Sequence, residues 1–253
     1  MQEKLLELVK GKKVQLCCHW DADGVTSGAL IYHIIKDHCN IVKTLSKGKP
    51  FIIEPNDLVD EAEIVICADI HPSEEILNRN VIYVDHHPSN IDDKCLLAIH
   101  DEHIQSCSIL IYDKLVKDKS NPYYVFLALL GYFGDAGDKE KIPEVLRINA
   151  MNQIPELMEK NKSYFSDDYY LTIQKYVSAL NTGKRKNWCG NIPLELLKCI
   201  SSYEPFVYNG HPLAQTLQGY RKELSGLYSK EYKIEDYGKY DVVQIECPQN
   251  IQG

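Results

Sequence analysis

His19, Asp21 and Asp23 stand at alternate positions in HWDADG (residues 19–24), and Asp69 closes the segment IVICAD. Asp85, His86 and His87 follow one another in VIYVDHH, and Asp135 lies in GYFGDAGD (131–138). Alternate residues of a strand point to one side, so the first three can face a common point. Gathered carboxylates repel one another unless a cation neutralises them, and imidazoles beside them are metal donors. Oxygen donors with a few imidazoles suit Mn²⁺ or Mg²⁺ better than zinc held by thiolates. Two such ions about 3.5–4 Å apart activate water and stabilise both oxygens of an in-line phosphoryl displacement. The chemistry indicated is hydrolysis at phosphorus.

Each cluster alone also has an ordinary structural reading. Asp23-Gly24 can form a turn with Thr26 capping a helix, Asp69 can cap a helix ahead of Pro72, and Asp138 can be a turn residue. Two adjacent histidines beside an Asp at a strand end are less ordinary, with Asp85 able to orient an imidazole. Asp135, between Gly134 and Gly137, ends an apolar helix where backbone flexibility lets a carboxylate swing back toward a site.

The elements that must position these residues follow from the apolar pattern. KVQLCCH (13–19), EAEIVICAD (61–69) and NVIYVDHH (80–87) read as buried strands. VTSGALIYHIIKDH (25–38) carries apolar residues at helical spacing, and Pro72 and Ser73 open a further helix through Ile76 and Leu77. This alternation predicts an α/β fold with a parallel sheet flanked by helices and covered on both faces. Ligands of such sheets bind beyond the carboxyl ends of the strands, where HWDAD, DIH and DHH all fall. From about residue 106 the chain reads as mostly helical, through SCSILIYDKLVKD (106–118), PYYVFLALLGYFGD (122–135) and weaker segments to about residue 200. GKRKNWCGN (183–191) reads as a polar break, 211–238 as a long exposed helix, and DVVQIECPQNIQG as the start of a strand.

Composition excludes several classes. The 253 residues, 44% hydrophobic and 25% charged, are those of an ordinary globular protein of one large or two small domains. No apolar run reaches the roughly 18–20 residues of a membrane span. MQEKLLELVKGKK lacks the basic start and apolar block of a secretory signal, so a cytoplasmic location with no membrane partner is expected. Nine scattered cysteines without a CxxC read as reduced, mostly buried thiols rather than a disulfide frame or a cysteine zinc site. The net charge of −8 argues against coating nucleic acid through an overall field and leaves local phosphate binding open.

The order His19-Trp20-Asp21-Ala22-Asp23-Gly24, Asp69, Asp85-His86-His87, Gly134-Asp135 resembles the DHH phosphoesterase family. It is most similar to the archaeal RecJ-like branch, whose first motif has the form H-x-D-x-D-G. SCSILIYDKL and SALNTGKRKNWCGN (178–191) add to the likeness, which covers roughly residues 12 to 200. The resemblance implies two Mn²⁺ ions, with Mg²⁺ as the alternative, in a cleft. His19, Asp21 and Asp69 would hold one, and Asp23, Asp69, His86 and Asp135 the other, with Asp69 bridging. His87 would contact the scissile phosphate or protonate the leaving oxygen, and Asp85 would orient a histidine. Arg185 aligns loosely with an arginine of that branch; with Lys184 it is a candidate phosphate contact, a solvated loop being the plainer reading. Trp188 and Tyr123, Tyr124, Tyr169 and Tyr170 could stack on bases but read better as core or interface residues.

Family members usually add a C-terminal domain with a glycine-rich, His-containing motif, and no GGGH occurs here. The organisation expected is a DHH domain over 1–205, a helical linker over 206–238 and the start of a truncated or missing domain over 239–253. The implied activity is a metal-dependent phosphoesterase of RecJ-like exonuclease type, working by two-metal water activation on single-stranded nucleic acid, with a replication or repair partner. A phosphodiesterase or phosphatase for small nucleotides (short oligonucleotides, cyclic dinucleotides, 3′,5′-bisphosphates) shares this chemistry. The acidic charge and the absent motif favour it, and the motif flavour favours the nuclease. A family II inorganic pyrophosphatase is remoter, since its first motif would read differently. A non-catalytic replication scaffold is opposed by the presence of every expected ligand.

Overall fold

Strands β1 (Lys13–His19), β2 (Asn40–Lys47), β3 (Ile64–Ala68), β4 (Val81–Asp85) and β5 (Leu97–His100) form one parallel sheet. Their order is β2-β1-β3-β4-β5, so the direction of winding reverses between β1 and β3. The computed structural model describes residues 1–135, 137–162, 168–186, 190–228, 234–236 and 241–243. β3 and β4 are buried at every position, as interior strands covered on both faces must be. The edge strands β2 and β5 are only partly buried. β2 carries Lys43, Thr44 and Lys47, a polar composition that suits an edge and hides the strand from an apolar pattern search.

The helices are α1 (Gln2–Val9), α2 (Ala22–Ile35), α3 (Cys107–Lys114), α4 (Pro122–Asp135), α5 (Glu144–Gln153), α6 (Gln174–Arg185), α7 (Asn191–Cys199), α8 (Glu204–Val207) and α9 (Pro212–Tyr228). α2 packs on α3, α4 and α7, and these helices cover one face of the sheet. The larger core lies between them and Val14, Leu16, Ile66, Ile82 and Val84. The alternate residues Cys17, Val65, Cys67, Val81 and Tyr83 face the other way, into a smaller cluster with Ile53, Ile70, Ile76 and Ile91 of the connecting loops.

That second face differs from expectation. Residues 71–72 pair with 52–53, and only one 3₁₀ turn, Glu74–Ile76, follows where a helix was predicted. Returning along a five-residue strand covers about 16 Å. A helix would need about eleven residues for that, nearly the whole connector, whereas extended chain needs far fewer.

The C-terminal part corrects three further expectations. α6 runs through Arg185 with Gly183 buried, so Lys184 and Arg185 lie in its last turn and not in a loop. α9 buries Ala214, Leu217 and Leu224 and packs on α6 and α7, so it is not an exposed linker. It ends at Tyr228, and Ile234–Asp236 pairs antiparallel with Asp241–Val243, where β-branched Ile234, Val242 and Val243 favour strand over helix. Phe206, at the expected boundary, is fully buried in the main core. Cys17, Cys18, Cys67 and Cys107 are buried and free, while Cys199 is exposed; Trp188, Cys189 and Cys247 lie outside the described residues. Among the described residues no helix is long and apolar enough to cross a membrane.

Candidate metal centre

The site starts where β1 turns into α2. Asp21 caps the helix by accepting the Gly24 N–H at 3.1 Å, the role expected for Thr26, and its other oxygen lies 2.8 Å from His19 Nδ1. A Cβ on Gly24 would meet His19 Cβ at 2.5 Å, so only glycine closes this turn. Asp23, the second residue of α2, is 1% exposed and accepts the Cys107 N–H at 2.7 Å and the Ser108 N–H at 3.0 Å. Its carboxylate thus sits on the positive end of α3.

Asp69 follows β3 in the left-handed conformation, φ +58°, which a non-glycine residue adopts at a cost. Its Oδ2 lies 3.9 Å from His19 Nδ1 and its Oδ1 3.6 Å from His86 Nε2, so the two oxygens face two different groups of donors. Asp85 ends β4. Its Oδ1 accepts the N–H groups of His86 (2.7 Å) and His87 (3.0 Å) and the Nδ1–H of His87 (2.8 Å), leaving His87 Nε2 as that ring's free nitrogen.

His86 gives the clearest sign of what the cluster can hold. Its Nδ1 lies 3.2 Å from the carbonyl oxygen of Ile104, which can only accept, so Nδ1 carries a proton and Nε2 is the nitrogen turned to the cluster, presenting a lone pair in the neutral ring. That lone pair faces Asp135 at 3.3 Å, Asp69 at 3.6 Å and Asp23 at 3.8 Å. His86 Nε2 and Asp69 Oδ1 are buried without a hydrogen-bond partner among the described residues. An acceptor nitrogen aimed at three carboxylates is repulsive by itself and is satisfied by a cation between them. Donor atoms group within 4.8 Å as His19, Asp21 and Asp69, as Asp23, His86 and Asp135, and as Asp69, Asp85, His86 and His87. This mixed oxygen and imidazole set fits a pair of divalent ions.

Electrostatics agree with the geometry. Burial, then the charges of Asp23, Asp21, Asp85 and Asp135, push the Asp69 carboxyl far above the usual carboxylate range. Burial lifts Asp23 to about 6 against the pull of the Ser108 N–H and His86. Burial also works on Asp21 and Asp85, but hydrogen bonds from His19 and His87 outweigh it and hold both low. The bond to Asp85 raises His87.

Asp135 reaches His86 because α4 runs very close to α2 and α3. A Cβ on Gly131 would lie 2.1 Å from Ser108 Oγ and 2.6 Å from Asp23 Oδ1, and one on Gly134 would lie 2.8 Å from Ala22 Cβ. Gly134 therefore serves close packing inside the helix rather than flexibility. Asp138 is a turn residue, accepting the Glu140 N–H and pairing with Lys141.

All eight predicted acidic and histidine residues converge at the carboxyl ends of β1, β3 and β4. Lys184 joins them, its Nζ 3.9 Å from Asp21 Oδ2, whereas Arg185 is exposed and none of its described contacts is with the cluster. The Tyr123 hydroxyl donates to the Leu197 carbonyl, and Tyr169 lies between Lys139 and Lys160, both away from the cluster. Two contributors were not singled out from sequence. Asn181 Oδ1 accepts the Ala22 N–H at 3.1 Å and pins the start of α2; its place in SALNTGK was the available signal. Phe51, an isolated aromatic in KGKPF, lines a cavity of about 350 Å³ with Ile70, His71 and four cluster residues.

Residues 13–133 match the DHH family, N-terminal domain. Exonuclease RecJ bound to manganese is similar in structure, with a TM-score of 0.60 and 14% identity over 88% of this chain and 65% of that one. RecJ in complex with Mn²⁺ from Thermus thermophilus gives 0.59 and 15% over 88% of this chain and 37% of its own. The DHH domain of a member of the s1p family of ribosomal proteins gives 0.56 and 13% over 92% and 62%. This chain spans less than two thirds of the length of each of these structures. None of the curated proteins matches it in sequence. At such identities the likeness to the solved structures is one of fold. With the motif order and the site geometry, residues 13–133 of this chain are similar to the N-terminal domain of the DHH family.

Proposed function

We propose that this chain is a metal-dependent phosphoesterase that cuts phosphodiester bonds of single-stranded nucleic acid, in the manner of a RecJ-like exonuclease. The observation that carries the reading is the buried His86 Nε2, without a hydrogen-bond partner among the described residues, facing Asp23, Asp69 and Asp135. Two Mn²⁺ ions, or Mg²⁺ in their place, would be held by His19, Asp21 and Asp69 and by Asp23, Asp69, His86 and Asp135. Bound there, they would supply the charge that activates water and stabilises both oxygens of the displacement.

The chain's own groups do the rest. Asp85 fixes the tautomer of His87, whose Nε2–H in the raised, protonated form is the donor for the leaving oxygen. Lys184, partly shielded beside Asp21, and Arg185 on the same helical turn are the cations for flanking phosphates. The match of residues 13–133 to the DHH family supports the phosphoesterase chemistry, and the likeness to exonuclease RecJ bound to manganese supports the choice of substrate.

The cavity of about 350 Å³ beside the cluster favours a second reading, hydrolysis of small nucleotides, because it accommodates about one nucleotide unit. One panel with Mn²⁺ separates the two: a labelled single strand, a dinucleotide, a cyclic dinucleotide and a 3′,5′-bisphosphate. Stepwise shortening of the strand, abolished by EDTA, is the expected result. Turnover of the small substrates alone selects the second reading, and turnover of none removes both.

A further inference from the structure

Phe51 is a bulky side chain held at φ +60°, a backbone region that costs an L residue free energy, and it is nonetheless 44% exposed. Core packing therefore offsets little of the strain. Strain of this kind persists where the surroundings fix it, and it gathers at ligand clamps. The surroundings here do fix it. The Phe51 N–H donates to the Gly48 carbonyl at 2.8 Å, closing a turn. Gly48 lies so near the Trp20 indole that a Cβ would be 2.2 Å from the ring, so the loop is seated on Trp20. The Phe51 ring then stands edge-on to His19, with centroids 5.2 Å apart and planes at 71°, and edge-on to Trp20 at 6.1 Å.

The placement makes this ring one wall of the cavity whose polar side is formed by His19, Asp69, Asp85 and His87. Ile70 and His71 complete the less polar side. A phosphate at the carboxylate cluster would leave its attached nucleoside beside an exposed aromatic ring. Stacking on such a ring is tolerant of sequence, since every base has a π-face, and it requires a base free of its duplex partner.

Resting on the phosphodiesterase reading above, we infer that this cavity is a nucleobase pocket in which Phe51 stacks on the base adjoining the scissile phosphate. Phe51 thereby selects nucleotides over base-free phosphate esters. The ligand class is an unpaired purine or pyrimidine nucleotide, from the end of a strand or from a dinucleotide.

The test measures a ratio. For wild type and Phe51→Ala, kcat/KM is determined on a strand ending in a normal nucleotide and on the same strand ending in an abasic residue, and again on a dinucleotide. The preference for the base-bearing end should fall about 5- to 150-fold in Phe51→Ala, and Phe51→Trp should keep it. A fall on the strand only, or on the dinucleotide only, identifies the source of the base. Binding supplies a readout independent of turnover: calorimetric titration with adenosine 5′-monophosphate and with ribose 5-phosphate. Wild type should favour the nucleotide, and Phe51→Ala should lose that margin. If wild type binds both equally, or Phe51→Ala keeps the wild-type preference in both assays, the base pocket is wrong and the phosphoesterase reading stands. If wild type hydrolyses nothing but the nucleotide margin depends on Phe51, the pocket stands and the phosphoesterase reading falls.

Discussion

Oδ1 of Asp69 lies 3.6 Å from Nε2 of His86, and both atoms are buried without a hydrogen-bond partner among the described residues. Asp69→Asn replaces one acceptor by an amide that can donate and removes a charge from a crowded cluster. In EDTA the variant should be more stable than wild type by about 1–3 kcal/mol, measured by urea unfolding. Mn²⁺ at a hundred times its dissociation constant should stabilise wild type by about 2.7 kcal/mol and leave the variant unmoved. A variant that still responds to Mn²⁺ would remove Asp69 from the site.

The same cluster sets a pH dependence. Asp23, raised to about 6 by burial, and Asp69, raised further by burial and by neighbouring carboxylates, keep protons in the folded chain that the unfolded chain has released. Their contribution is complete below the ordinary carboxylate range, near pH 4, and is lost as pH rises through their folded values. Asp21 and Asp85, held low by hydrogen bonds that outweigh burial, act oppositely and lose their contribution only as pH falls through their depressed values. The melting temperature in EDTA should therefore fall between about pH 4.5 and 7.5, and Mn²⁺ should abolish the fall. A rise across that window in EDTA contradicts the assignment.

His87, the proposed acid, has Nδ1 committed to Asp85. His87→Ala should lower kcat by about 10²–10⁴ on an ordinary diester and far less on a 4-nitrophenyl ester, whose leaving group needs no proton. Since the hydrogen bond from His87 to Asp85 raises the imidazole, Asp85→Asn should shift the alkaline limb of the rate profile to lower pH. Equal losses on both esters would exclude the role.

Gly131 lies where a methyl group would meet Ser108 and Asp23. Gly131→Ala should destabilise by about 1–3 kcal/mol through overpacking and push α4, with Asp135, away from His86. Among the described residues, no atom outside the local helix backbone lies within 4 Å of where a Cβ on Gly219 of α9 would be, so Gly219→Ala should be neutral or stabilising by up to about 1 kcal/mol. Paired urea melts of the two variants check the contrast.

Each cation on a single-stranded substrate adds about 0.7 to the slope of log affinity against log salt. Lys184→Ala and Arg185→Ala should each reduce the slope by about that amount. An unchanged slope in filter binding excludes the residue concerned.

The convergence of acidic and histidine side chains was legible because β1, β3 and β4 have apolar interiors ending in Asp and His, and parallel strands bring such ends together. β2 and β5 were missed because edge strands tolerate a polar face, as Lys43 and Lys47 show. The helix expected after Pro72 failed on distance rather than propensity. Asn181 acts through one hydrogen bond to Ala22, 159 positions away in sequence, which no local pattern encodes. Phe51 was unread because its signal is a backbone angle and not a residue type.

The sheet has a thick side, layered with helices, and a thin side where short turns lie over a small apolar cluster. Asp23 and Asp135 belong to the thick side, whereas Phe51, Ile70 and His87 sit on loops of the thin side. Segments with few buried contacts open at a fraction of the global unfolding free energy. The loop that carries Phe51 therefore opens at lower cost than the helix-layered half of the site that holds Asp23 and Asp135.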